Sequence, residues 1–586
     1  MNALAAQHRW PQEDRATGYR ITESLAGSKR PMRIVHVGCG AAGICLAKFI
    51  PERMENVSFV CYDKNADVGG TWLENRYPGC ACDIPSADYQ FTWARNPDWS
   101  HFYSASPEIW RYFKDCVERF GLARYMKLEH RVEGAYWDGE RGKWEVHVRD
   151  LREDTVFVDE CDVFINGGGI LNHWKWPEIE GLHSFKGLLC HTAAYPEGTD
   201  LTGKRVAVIG IGSSGVQVIA TIANQVSKLY TWVRSPTWIT AGFAQKYAGA
   251  GGQNVSYTPE QQKHWRANYG EYLQYCKEIE TELNQRFKFI LNGTEDAQKA
   301  LAFSVEEMRG KLAGRQDLIE SIIPKDFGIG CRRPTPGNGF LEALTLPHVH
   351  AFTKSGIARI TQTGFATTDG EEHEVDVIIC ATGFDTSWVP RFPVVYDGKN
   401  AQDFMRERTL SYLAMAIPEV PNYFTIGGPY GPVGHGNTLM VNERLISNIL
   451  KIVEKMQLEG IKSVRPKLRV AEKFEEHAQL FCKRTAWAGK CASWFKQGKK
   501  DGKLTIWPGS RLLFFEALKE PRYEDYNIEY LSNNPWAWLG CGFTLQEYDG
   551  SDIAYYIGTD EHPGSLLPEK EEDDGSRKTC AVPGNL

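Results

Sequence analysis

The sequence lacks several features that would assign it quickly. No segment approaches the ~18 uninterrupted apolar residues needed to cross a bilayer, and residues 1–30 contain no apolar stretch of signal-peptide type. Positive charge is not in excess: 67 Lys and Arg against 74 Asp and Glu leave a net charge of −7. The basic residues are scattered, so nucleic acid is not an expected partner. There is no C-x-x-C pair beside a glycine-rich turn. Cys80 and Cys82 form a C-x-C, which fits neither a redox motif nor a zinc knuckle, and no metal is expected. No repeat of solenoid length is present. The 15 cysteines, an odd number, are dispersed among predicted core strands instead of forming a disulfide framework. They read as reduced thiols of a cytoplasmic protein.

At 586 residues the chain exceeds what one hydrophobic core usually supports, so two or three domains are expected. A hydrophobic fraction of 42% and a charged fraction of 24% are those of an ordinary globular protein. The 18 Trp, 25 Tyr and 27 Phe suit burial of aromatic cofactors, and equally suit large aromatic cores.

One motif occurs twice. Residues 32–37 (MRIVHV) form an apolar strand that runs into Gly38-Cys-Gly40-Ala-Ala-Gly43 and a helical stretch. Residues 205–209 (RVAVI) run into Gly210-Ile211-Gly212-Ser213-Ser214-Gly215, followed by Val216 and Gln217 at the start of a second helix. Each is a strand–turn–helix unit with G-x-G-x-x-G at the turn. The first glycine permits the tight turn, the second admits a pyrophosphate to the backbone, and the third lets helix and strand pack closely. A single match is a weak signal, whereas two matches each placed between strand and helix are strong.

Residues roughly 20 positions further on distinguish the two sites. After the first motif the strand VSFVCYD ends on Asp63, an acid placed for ribose hydroxyls. After the second, LYTWVR ends on Arg234, followed by Ser235, and an arginine there accommodates a 2′-phosphate. The first site is therefore assigned to FAD and the second to NADPH. Two further strands, 161–165 and 375–380, end at glycine turns and resemble the returning strands of such sheets. Between roughly 258 and 323, Trp265, Tyr269, Leu273, Cys276, Ile279, Leu283, Phe287 and Ile290 recur at helical spacing and mark an amphipathic helix.

The fold class is α/β: two doubly wound, Rossmann-like dinucleotide-binding domains, the NADPH domain inserted in the FAD domain, with a helical insertion. The expected division is an N-terminal extension (1–30), FAD segments (31–175 and 385–560), NADPH segments (176–250 and 329–384), the helical insertion (251–328) and a polar tail (561–586).

Three further stretches resemble the Baeyer–Villiger monooxygenases, the class that uses FAD and NADPH on a single chain, and the resemblance runs from about 32 to 560. Phe185-x-Gly187-x-x-x-His191-x-x-x-Tyr195-Pro196 matches that family's linker motif except that Tyr195 stands where the family has Trp. The stretch from Gly69 and Gly70 through Trp72, Tyr77, Pro78 and Gly79 to Asp83 matches a second signature, and Gly330-Cys-Arg332-Arg333 is similar to the segment carrying the family's active-site arginine. Trp507–Ser510, Asn534–Gly540 and Pro429–Gly436, which includes His435, look like a fungal branch acting on bulky polyketide-type ketones in secondary metabolism.

The resemblance implies insertion of one oxygen atom from O2 beside a ketone carbonyl, through a C4a-peroxyflavin, giving an ester or lactone. It implies that Arg333 stabilises the anionic oxygen and that Asp83 pairs with it. Thr71, Trp72, Leu73, Glu74, Ile84 and Tyr89 would lie along FAD. Ala81 and Cys82 would lie where NADPH passes the flavin, Arg332 would reach the 2′-phosphate, and His191 would serve domain motion. Three alternatives stay open: oxygenation of nitrogen or sulfur, a flavin disulfide reductase lacking its C-x-x-C, and a catalytically silent nucleotide-binding partner.

Overall fold

The structure is a computed structural model that describes residues 13–557. The polar tail expected at 561–586 lies outside the described residues, as do residues 1–12. The chain forms a main unit, residues 29–531, and a small unit of terminal segments. Within the small unit Ala26 bridges Thr544, and the Thr22 hydroxyl donates to the Ala537 carbonyl.

Ten strands build the two parallel sheets of the main unit: β1 (Met32–Val37), β2 (Val57–Tyr62), β3 (Met126–Lys127), β4 (Val163–Asn166), β5 (Leu188–His191), β6 (Arg205–Ile209), β7 (Lys228–Trp232), β8 (Val349–Phe352), β9 (Val377–Cys380) and β10 (Tyr423–Thr425). The first sheet has the order β10-β4-β1-β2-β3 and the second β8-β7-β6-β9-β5, with every pairing parallel. Continuous apolar runs such as RVAVI suit strands buried on both faces. In each sheet the strand preceding a G-x-G-x-x-G turn, β1 or β6, is central. Strand order reverses there, and open α/β sheets bind ligands at such a switch point. A third, mostly antiparallel sheet (Thr155–Cys161, Lys143–Asp150, His130–Asp138, Val394–Tyr396, Lys399–Asn400) joins the first half.

The strand expected over 161–165 is divided. Asp162 turns its carboxylate onto the Arg33 amide, Arg30 and Lys143, so one strand ends at Cys161 and β4 begins at Val163. The helix expected from Trp265 onward is also broken. Helix α1 (Ala41–Arg53) and helix α2 (Ser213–Ile222) follow the glycine turns, while the insertion contains α3 (Pro259–Ala267) and α4 (Tyr269–Gln285). Asn268 between them leaves the helical conformation (φ −120°, ψ 62°) and turns the apolar face. Tyr269 is consequently exposed and Tyr272 takes the buried place, while Cys276, Ile279 and Leu283 are buried as expected.

The two chain crossings between the halves lie side by side. Trp174 bridges Phe384, and the Asp385 amide donates to the His173 carbonyl at 2.8 Å.

Candidate functional site

The two glycine turns share one geometry. Gly38 (φ +105°) and Gly210 (φ +112°) adopt backbone that favours glycine, and a Cβ on either would lie 2.8 Å from the Gly167 carbonyl oxygen or 2.4 Å from that of Ala381. A Cβ on Gly43 or Gly215 would collide with the oxygen of the first glycine, at 2.2 and 1.9 Å. Those four glycines are therefore required by the protein itself. Gly212 is different: a Cβ there would meet nothing within 4 Å, so the protein itself leaves that space open. Ser213 is exposed beside it, and neither α1 nor α2 has an acidic residue in its first turn. Both helix starts thus offer amide donors and a positive dipole end to a pyrophosphate.

Asp63 is buried against the first turn. Its carboxylate accepts from the Cys39 amide at 2.7 Å and the Asn65 amide at 2.8 Å, and burial raises its pKa. At the second turn Arg234 follows β7 and is exposed, with Ser235 half-buried beside it. Burial and the charge of Arg234 hold Arg332 below its ordinary pKa, and the buried Arg332 Nε has no protein partner. Two like charges held together with an unpartnered nitrogen suit an incoming phosphate.

The segment after Gly70 lies between the halves. Thr71–Glu74 form one helical turn, with Leu73 half-buried on it; the Trp72 indole donates to the Tyr89 hydroxyl at 3.2 Å, and Ile84 is buried nearby in sequence. The Tyr77 hydroxyl donates to Gln217 Oε1 at 2.8 Å, while Gln217 Nε2 donates to the Ala81 carbonyl at 3.0 Å. Gln217 therefore ties this segment to the start of α2. Gly79 sits against α2, where a Cβ would lie 2.1 Å from Thr221 Oγ1. Cys80 and Cys82 are buried free thiols.

Asp83 ends the segment and accepts a two-pronged ion pair from Arg333, Nη2 to Oδ1 at 2.8 Å and Nη1 to Oδ2. Residues 250 positions apart in sequence meet here. Burial pulls the Arg333 guanidinium down, but the charge and hydrogen bonds of Asp83 outweigh it and leave its pKa above the ordinary value. Arg333 also lies over the Phe243 ring at 5.7 Å, a contact no motif signalled.

The linker motif is buried at the crossings. Phe185 folds over Gly187, whose Cβ would lie 2.5 Å from the ring and 2.5 Å from the Asp376 carbonyl oxygen. His191 is fully buried and stacks on Trp174 at 4.4 Å. Its Nδ1 accepts from the Ala193 amide at 3.1 Å, and burial pushes its pKa down to about 4. Tyr195 is buried, and Pro196 is exposed with its carbonyl accepting from Thr199. His435 is held as a neutral ring: Nδ1 accepts from the Arg511 amide and Nε2 donates to the Leu283 carbonyl. Burial lowers its pKa.

One expectation is overturned. Cys331 and Cys491 form a disulfide, so the cysteines are not all reduced thiols. The partners are 160 residues apart, and only the tertiary structure brings them together.

Two strand–glycine turn–helix units on doubly wound halves, together with the Arg333–Asp83 pair, fit a two-cofactor flavoprotein. The flavin-binding monooxygenase-like family matches residues 31–302. The FAD-binding monooxygenase moxY of Dothistroma septosporum is 37% identical over 559 residues, 92% of this chain and 88% of that one. A Baeyer-Villiger monooxygenase of Pseudomonas aeruginosa is 28% identical, covering 88% and 95%. Closed cyclohexanone monooxygenase superposes with a TM-score of 0.73 at 25% identity, covering 86% of this chain and 100% of that one. The cyclohexanone monooxygenase from Rhodococcus sp. Phi1 bound to NADP+ gives 0.72, at the same identity and coverage. The chain belongs to the FAD-binding monooxygenases and is of the Baeyer–Villiger type in its fold. It is an NADPH-dependent flavin monooxygenase. Among the described residues no helix is long and apolar enough to cross a membrane.

Proposed function

We propose that this chain catalyses Baeyer–Villiger oxidation, inserting one oxygen atom beside the carbonyl of a bulky polyketide- or terpenoid-type ketone in secondary metabolism. The observation that carries the reading is the Arg333–Asp83 pair, formed where the segment after Gly70 meets the loop before Thr335. Fungal relatives at 34–38% identity support the branch.

Gly38, Gly40, Gly43, Asp63 and the Gly70–Glu74 turn would hold FAD, with Asp83, Ile84 and Tyr89 further along it. Gly210–Val216, Arg234, Ser235 and Arg332 would hold NADPH, with Ala81–Asp83 at its nicotinamide end. Gln217 supports this site from behind through Tyr77 and Ala81. FAD held there and reduced by NADPH would supply oxygen activated from O2. Arg333 keeps its proton and aims forked donors, so it can donate to an oxygen that gains negative charge. Asp83 fixes the fork, and removing either charge leaves the other poorly compensated. Phe185–Pro196 would brace the crossings between the halves.

Arg333→Ala tests this. Loss of one such donor costs roughly 10²- to 10³-fold in turnover, so ester formation should fall by that factor while NADPH oxidation persists. Wild-type enzyme that ignores ketones but oxidises amines or sulfides, indifferently to Arg333, would place the chain among heteroatom oxygenases. Purified chain that binds no flavin would make it a silent nucleotide-binding protein.

A further inference from the structure

The loop between the helix ending at Ile322 and the strand at Thr335 contains no helix or strand, yet it carries both arginines. Burial and the like charge of Arg234 both disfavour the charge of Arg332. A hydrogen bond, a close packing contact and a covalent bond hold the loop. The Trp238 indole donates to the Phe327 carbonyl at 3.1 Å. Gly330 (φ +101°) is pressed against Ile290, where a Cβ would lie 2.8 Å from Cδ1. The covalent hold is the Cys331–Cys491 bond, one residue before Arg332 and two before Arg333.

The far end of that bond is itself anchored. Lys496 Nζ donates to the Gly489 carbonyl at 2.5 Å, and Thr485 bridges Leu291. Both sulfurs are buried, Cys331 at 0% and Cys491 at 2% exposure, so a reductant reaches them only when the two segments part.

We propose that the Cys331–Cys491 crosslink is a positioning element for the arginine pair, and that its reduction loosens Arg332 and Arg333 together. Two thiols of a dithiol reductant supply the electron pair: the S–S bond breaks, each cysteine gains a proton, and the reductant becomes its own disulfide. The inference rests on the reading of Arg332 as the 2′-phosphate partner.

The test uses full-length FAD-loaded enzyme as wild type, Cys491→Ser and the Cys331→Ser, Cys491→Ser double variant, each with and without dithiothreitol. Alkylation under denaturing, non-reducing conditions should leave Cys331 and Cys491 of the untreated wild type unlabelled. The ratio of kcat/KM for NADPH to that for NADH should fall about tenfold in Cys491→Ser and in the reduced wild type, since small misplacements of binding groups are costly. Reoxidation should restore the wild type, and the double variant should ignore the reductant. A merely structural crosslink would lower Tm and leave the ratio unmoved. If Cys491→Ser fails to fold, wild type reduced in sub-denaturing urea carries the measurement. Alkylated thiols at both positions in the untreated protein, or an unchanged ratio after reduction, would overturn the proposal. Arg332→Ala is run alongside. If it leaves the ratio unmoved, the coenzyme reading fails; if it moves the ratio and reduction does not, only the crosslink proposal fails.

Discussion

Replacing Arg332 with Ala removes one of two like charges that the fold holds together. In the wild type its Nε has no protein partner, and both burial and Arg234 disfavour its charge. A 2′-phosphate would relieve both penalties. Hydrogen bonds to charged groups contribute about 1.5–3 kcal/mol, and each 1.4 kcal/mol or so is tenfold in a binding constant. Arg332→Ala should therefore lower kcat/KM for NADPH roughly 10- to 100-fold. NADH lacks the phosphate, so its kcat/KM should stay level or rise as the repulsion disappears. Arg332→Lys keeps the charge without the forked geometry and should fall between. Initial rates of coenzyme oxidation at low and high salt supply the assay. The wild-type preference for NADPH should weaken with salt more than that of the variant, because screening acts on the removed charge. Equal loss with both coenzymes would refute the reasoning, since it would make Arg332 a support of the fold and not a reader of the phosphate.

Two other outcomes follow from geometry already described. Gly212→Ala should fold, keep FAD and leave Tm unchanged, yet raise KM for NADPH tenfold or so by filling the pyrophosphate's approach; Gly215→Ala, whose Cβ would lie 1.9 Å from a backbone oxygen, should disrupt the NADPH half outright. A thermal melt and flavin absorbance separate the two, and a destabilised Gly212→Ala would contradict the open space seen there. His191 gives a pH dependence. Its folded pKa of about 4 lies below the ordinary ~6.5, so the unfolded chain takes up the proton first as pH falls. The stability from neutral His191 is complete above ~6.5 and is lost progressively toward pH 4, about 2 kcal/mol by pH 5. His191→Phe keeps the stacked ring without titrating, so melts at about pH 7.5 and about pH 5 should show the smaller acid loss in the variant. Equal losses would remove His191 as the titrating group.

The sequence by itself determined the two strand–turn–helix units, because tight turns and close helix–strand contacts admit only glycine at fixed local positions. β1 and β6 coincide with residues 32–37 and 205–209 for that reason. Asp63 and Arg234 were legible because they close the next strand of a local unit. The resemblance supplied Asp83 and Arg333, but composition and spacing alone could not have joined residues so far apart. Local pattern also misled where the chain breaks its regular course at one polar residue, as at Asn268 and Asp162. What only the tertiary structure decided are relations across the two halves: Gln217 turned onto Tyr77 and Ala81, Phe243 beneath Arg333, and Cys331 bonded to Cys491. Periodicity reports which face of an element is apolar. Which distant element arrives at that face depends on how whole sheets and loops fill space, and no local run of residues encodes it.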